Sequence, residues 1–321
     1  LKRIGQAFSM FYSSNAVHWV PLGGADFGDP AFSDTPLPAK LFVGPTYGPE
    51  NNNIATDVTD PRRGLWATRI RNYSDTLSAQ KPRGSATYAI GLNFGANENG
   101  ARMSSSEVAG VDVVAQANWN NLIGANSDTT GPVIGIVAEK AGASAATTVT
   151  VEWTSPNTWE STGRGEENNQ LVGSDHTLMT GYLDTGGAST TPTTISNIPT
   201  DLTSGGYDVY VYLLGGVPGR GGGYRIVDTA GTVLKDYVLA QGAANPTNFV
   251  EVPQIAGSTN YGAGTHIIFK GLKASTIKIE ASTENGLAFG GTPRAPINAV
   301  QLVVAPASAP AISVTRTASG I

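Results

Sequence analysis

Residues 207–214 read YDVYVYLL, with Tyr207, Val209, Val211 and Leu213 on one side of an extended chain and Asp208, Tyr210, Tyr212 and Leu214 on the other. Successive strand residues face opposite ways, so this period of two predicts a strand with one apolar face. The period recurs in TYAIGLNF at 87–94, through Tyr88, Ile90, Leu92 and Phe94. It returns in TTVTVEW at 147–153, where Val149, Val151 and Trp153 alternate with Thr148, Thr150 and Glu152. Further runs lie at 224–227, 233–238, 249–252, 266–269, 276–280 and 299–304. Strands apolar on one side must close on a second layer. The expected fold is therefore all-β, a two-sheet antiparallel β-sandwich of jelly-roll type over residues 86–305. Asn99-Gly100 and Asn285-Gly286 predict tight turns with positive φ, and GGVPGRGGG at 215–223 predicts a flexible hairpin tip.

The flanks read differently. In LKRIGQAFSMFY at 1–12, Leu1, Ile4, Phe8 and Phe11 recur at helical spacing and predict a short helix. Prolines at 21, 30, 36, 38, 45, 49, 61 and 82 make the rest of residues 1–85 an irregular arm. Residues 306–321, PASAPAISVTRTASGI, read as an extended tail in which Ile312 and Val314 sit in a strand-like ISVT. Residues 1–85 carry nine basic and seven acidic side chains, a balance of +2, while residues 86–305 carry ten and eighteen, a balance of −8. Opposite signs favour docking of the arm on a body, its own or a neighbour's. The sequence opens on Leu1 rather than Met, which reads as a processed product or the interior of a longer reading frame, where an export signal could have been lost.

Composition narrows the chemistry. No cysteine is present among 321 residues, so thiol catalysis, thiolate-bound zinc and disulfides are excluded. His18, His176 and His266 are far apart and lack the spacing of a metal site. A net charge of −5 argues against nucleic acid as a partner, and no apolar run reaches membrane-spanning length. Charged residues make up 14% of the chain against roughly 25% in an average soluble protein. A polar but weakly charged surface suits an extracellular or cell-surface β protein.

Candidate sites are few. Trp119 stands between Asn118, Asn120 and Asn121, which suits either a sugar platform or a buried ring anchoring a loop whose amides serve the backbone. Trp159, in SPNTWEST, falls outside a clean strand and is expected at a surface. The glycine-rich run around Arg220 lacks the helix and the Lys-Ser/Thr pair of a phosphate loop. Glu166 and Glu167 are adjacent, so strand geometry sends them to opposite faces and offers no acid/base pair. Asp26, Asp29, Asp57 and Asp60 are possible calcium ligands without EF-hand spacing, so calcium stays unplaced and no other cofactor is expected.

The segments MSSSEVAGVDVVAQANWNNLIGA at 103–125, NTWE at 157–160, LMTGYLD at 178–184, YDVYVYLL and RAPINAVQLV at 294–303 resemble a β-sandwich domain of secreted and surface proteins of planctomycete and verrucomicrobial bacteria. The closing INAVQLV is also similar to the last strand of malectin-like and galactose-binding-like carbohydrate-binding domains. LKRIGQA resembles a segment of planctomycete pilin-like secreted proteins. These resemblances imply a sandwich fold and a place outside the cell. The leading expectation is a non-enzymatic structural subunit of a self-assembling filament, tube or surface layer, joined to copies of itself through Leu1, Ile4, Phe8 and Phe11 of the arm, Ile312 and Val314 of the tail, and open strand edges. The alternative is a carbohydrate-binding module whose glycan platform comprises Trp119, Asn118, Asn120 and Trp159.

Overall fold

The computed structural model describes the strand backbones within residues 2–26, then residues 81, 83, 84, 86–127, 131–254, 260–290 and 292–304. The chain divides into two units, Leu1–Ala79 and Gln80–Ile321. In the first unit β1 (Lys2–Ile4), β2 (Ala7–Tyr12) and β3 (Val20–Asp26) form an antiparallel sheet in that order. The helix expected over residues 1–12 is therefore corrected to strands. A single apolar stripe over twelve residues is too short to stabilise a helix alone, and pairing of β2 with both neighbours supplies the hydrogen bonds instead. The β2–β3 register shifts between Met10 and Phe11, where Pro21 faces Phe11 and lacks a ladder donor.

The second unit is the anticipated β-sandwich. Sheet I runs in spatial order β18 (His266–Leu272), β14 (Tyr207–Tyr212), β20 (Ala299–Val304), β4 (Tyr88–Asn93), β6 (Val137–Lys140) and β7 (Ala143–Ala146), with β5 (Asn120–Asn121) parallel to β4. Sheet II runs β17 (Gly262–Gly264), β16 (Val233–Gly242), β15 (Gly221–Val227), β19 (Ile277–Ser282), β13 (Thr190–Ser196) and β8 (Thr150–Trp153). Two small antiparallel pairs complete the described strands: β9 (Asn157–Glu160) with β12 (Gly181–Asp184), and β10 (Thr162–Gly163) with β11 (Glu166–Glu167). The helical pieces α1 (Gly173–Leu178) and α2 (Thr200–Thr203) are short. Residues 104–117 hold one 3₁₀ turn, Asp112–Val114.

The inter-sheet core follows the alternation read from sequence. Tyr88, Ile90, Leu92, Phe94, Val209, Val211, Val300 and Leu302 from sheet I meet Val149, Val151, Trp153, Ile195, Tyr224, Ile226, Ile277 and Ile279 from sheet II. Full burial of each such aliphatic side chain stabilises the fold by about 1.5–3 kcal/mol. The expectation of one wet face per strand holds for β8 but not for β14, whose six residues are all buried. The reason is a third layer: Trp119, Val114, Met103, Leu178 and Met179 cover the outer face of sheet I and enclose Tyr210, Tyr212 and Val303.

Ala89 of β4 pairs with Val303 of β20, so the first and last strands described in the second unit lie side by side. The run at 215–223 is not a hairpin tip: it carries the chain from β14 in sheet I to β15 in sheet II, and Gly221, Gly222 and Gly223 are buried strand residues. A Cβ on Gly221 would lie 2.1 Å from the Ala240 carbonyl oxygen and one on Gly222 2.5 Å from that of Ser282, so these glycines permit close strand approach.

Candidate functional site

The cluster at 118–121 is built into the fold. The Trp119 ring is 4% exposed, donates from Nε1 to the Gln116 carbonyl at 3.0 Å and meets Tyr212 edge-on at 6.0 Å. A ring so enclosed offers no face to a sugar, and its place as a glycan platform is corrected to core. Its neighbours serve the backbone. Asn120 donates to Gly91 and Val137 carbonyls at 2.8 Å each and accepts from Val137 N–H at 2.9 Å, bridging β4 and β6 beyond the end of their ladder. Asn121 closes on both the N–H and the carbonyl of Met103, and Asn118, at φ 54°, donates to Glu139.

Trp159 behaves differently. It lies on β9 in register with Tyr182 of β12, while Asn157 two residues earlier is in register with Asp184. Directly opposed strand residues share a face, which places Asn157, Trp159, Tyr182 and Asp184 together. Arg164 and Gly165, at φ 52° and 82°, make the two-residue turn between β10 and β11 that positions Glu166. Glu166 accepts a forked pair from Arg220 at 2.9 and 3.3 Å, and Trp159 Nε1 donates to it at 3.2 Å. Gly216 makes this approach possible, since a Cβ there would sit 1.9 Å from Glu166 Oε2. Arg294 Nε lies 3.0 Å from Asp184 Oδ1.

Asn157, Trp159, Glu166, Asp184, Arg220 and Arg294 together line a cleft of about 140 Å³. The Arg164 guanidinium stacks 4.2 Å from the Trp159 ring centre and is held by Glu160 and Glu98 at 3.0 Å each. Asp184 is 6% exposed, and its Oδ1 and the Arg294 Nε form a buried ion pair without hydrogen-bond geometry. Burial pushes the Asp184 carboxyl above the usual carboxylate range, opposed by Arg294 and Arg220 and reinforced by Glu166. The cleft thus combines an aromatic surface, forked donors and carboxylate acceptors.

Sequence reasoning named Trp159, Glu166 and Arg220 but did not bring them together, and it missed Asn157, Arg164, Asp184 and Arg294. The usable signals were the alternation in NTWE and the Gly-Arg-Gly-Glu turn at 163–166. Glu166 is not a solvated loop residue, whereas its neighbour Glu167 is exposed, as adjacency in a strand requires.

The assembly residues fare unevenly. Ile4 ends β1, Phe8 and Phe11 lie in β2, and Leu1, Ile312 and Val314 lie outside the described residues, as do Asp29, Asp57 and Asp60. The charge contrast loses its basis at the structural boundary. Lys81 and Arg83 fall in the second unit, where Lys81 pairs with Asp175 at 2.7 Å and Asp112 at 2.8 Å, and Arg83 with Glu139 at 2.7 Å. Removing these two from the nine basic residues leaves seven against seven acidic, a neutral first unit. Among the described residues no group of three or more His, Asp or Glu side chains could hold a metal ion, and no helix is long and apolar enough to cross a membrane.

Sheet edges differ in cover. Residues 250–254 lie along β18, with Val252 N–H on the His266 carbonyl at 2.8 Å and Gln254 on that of Ile268 at 2.9 Å. Val133 exchanges 2.8 and 3.0 Å hydrogen bonds with Val151 along β8. Among the described residues strand β7 pairs with β6 alone, and its sequence ASAA has neither charge nor proline.

No family model matches this chain, and no match was found among curated proteins or solved structures.

Proposed function

We propose that the second unit is a non-enzymatic, extracellular carbohydrate-binding module whose ligand enters the Trp159 cleft. The observation that carries this reading is the convergence on one concave site of a partly exposed indole, two arginines, two carboxylates and an amide. A sugar presents C–H groups to an aromatic surface and hydroxyls to paired donors and acceptors, which is this set of groups. The resemblance of NTWE and LMTGYLD to a domain of secreted bacterial proteins supports the location, and both segments contribute cleft residues. The test is titration of the purified protein with simple saccharides, followed by tryptophan fluorescence and calorimetry. Binding lost in Trp159→Ala at unchanged melting temperature supports the reading; binding retained in that variant removes it.

A second reading, self-assembly into a filament or surface layer, is favoured by one observation, the edge of β7 that no other described strand covers. Uncharged edges of two copies can pair by strand addition without repulsion. Ser144→Pro removes an outward-facing donor from this edge, and sedimentation velocity then reads the outcome: assembly unchanged by the substitution excludes β7 as the joint.

A further inference from the structure

Resting on the carbohydrate reading, we infer that the Trp159 cleft selects a single uncharged sugar ring. Charge and size carry the inference separately.

The lining holds Arg220 and Arg294 against Glu166 and Asp184, so its formal charge is zero. Immediately behind the indole, Arg164 is matched by Glu160 and Glu98, which leaves the surroundings one negative charge in excess. An anionic sugar gains nothing net from arginines already neutralised, and its carboxylate meets Glu166 and Asp184 at close range, where like charges cost several kcal/mol. A cationic ligand meets two guanidinium groups in the same way. A neutral polyol avoids both penalties. Its hydroxyls donate to the lining carboxylates and accept from the lining guanidinium groups.

At about 140 Å³ the cleft holds on the order of five waters, taking about 30 Å³ each. That space suits a single pyranose ring. Its walls come from β9, β12, the β10–β11 turn and the chain at 220 and 294.

The experiment has two arms, both with the full chain. Calorimetry and ligand-observed nuclear magnetic resonance first compare methyl glycosides of galactose, glucose and mannose with galacturonate, glucuronate and glucosamine. At least one neutral glycoside binds at least tenfold more tightly than any charged sugar. Glu166→Gln removes one negative charge and moves the ratio toward the uronates by about tenfold. Asp184→Asn does the same by a separate route should the first variant lose its melting transition. The second arm compares the methyl glycoside of the preferred sugar with its trisaccharide, and affinities within tenfold of each other are expected. If no saccharide binds, the carbohydrate reading itself falls. If saccharides bind but uronates or glucosamine are preferred, or the trisaccharide binds more than tenfold more tightly than the methyl glycoside, only the present inference is overturned.

Discussion

Replacing Trp119 with alanine separates a structural indole from a binding one. The ring is 4% exposed, packs edge-on against Tyr212 and covers Gly91, where a Cβ would come within 2.5 Å of ring atom Cε3. Truncation of a buried Phe or Trp costs about 3–5 kcal/mol, because lost transfer free energy adds to the cavity left behind. The Gln116 carbonyl also loses its indole donor, worth about 1 kcal/mol and included in that range. A domain stabilised by about 5–15 kcal/mol is left marginal. Gly91→Ala alone overpacks the site by about 1–3 kcal/mol, since its methyl meets both Trp119 and the Gln116 amide at 2.9 Å. In the Trp119→Ala background that methyl enters the vacated space, so the same change should cost less than about 1 kcal/mol. Urea denaturation of the wild type, both single variants and the double variant gives the coupling directly. Additive losses would refute ring-on-glycine packing, and Trp119→Ala within 1 kcal/mol of the wild type would refute the buried ring altogether.

Further outcomes follow from other positions. Gly216→Ala forces Glu166 off Arg220 and Trp159, and should cost about 1–3 kcal/mol in urea while abolishing saccharide binding; unchanged stability and binding would contradict the 1.9 Å approach. Ala141 sits exposed at φ 48° in the turn joining β6 and β7, so Ala141→Asn should raise stability by about 0.5–1 kcal/mol, and a lower melting temperature would count against that strain. His266 is 3% exposed among Tyr210, Tyr212, Phe249 and Thr265, and burial pushes its imidazole down to about 4. Because the unfolded chain takes the proton first, its contribution is present above pH 6.5 and is lost as pH falls from 6.5 towards 4, by up to about 3 kcal/mol. The buried carboxyls of Asp175 and Asp184 are raised and act in the opposite sense, so the readout is the difference between wild type and His266→Phe; parallel pH profiles would exclude the imidazole.

The sandwich was legible because alternation is local: Val149, Val151 and Trp153 reach the inter-sheet core as their spacing demands. What lay beyond sequence was whatever a distant partner decides. In β14, Tyr210 and Tyr212 occupy the face expected to be wet, and it is buried by Trp119 and Met179, which lie far away in the sequence. The helical stripe from Leu1 to Phe11 yielded to pairing with a strand that starts at Val20. Glycines 221–223 looked flexible because sequence gives no view of the strands pressed against them. The cleft was hidden for the same reason, since Asn157 and Arg294 are brought together only after β12 has paired with β9 and the chain has crossed between sheets.

The adjacency of β4 and β20 bears on how the second unit would respond to being pulled. Ala89 pairs with Val303, so the incoming and outgoing chains leave the same end of one antiparallel pair. Tension applied through both would peel the ladder open rung by rung instead of shearing all its hydrogen bonds at once, and the domain would yield at low force.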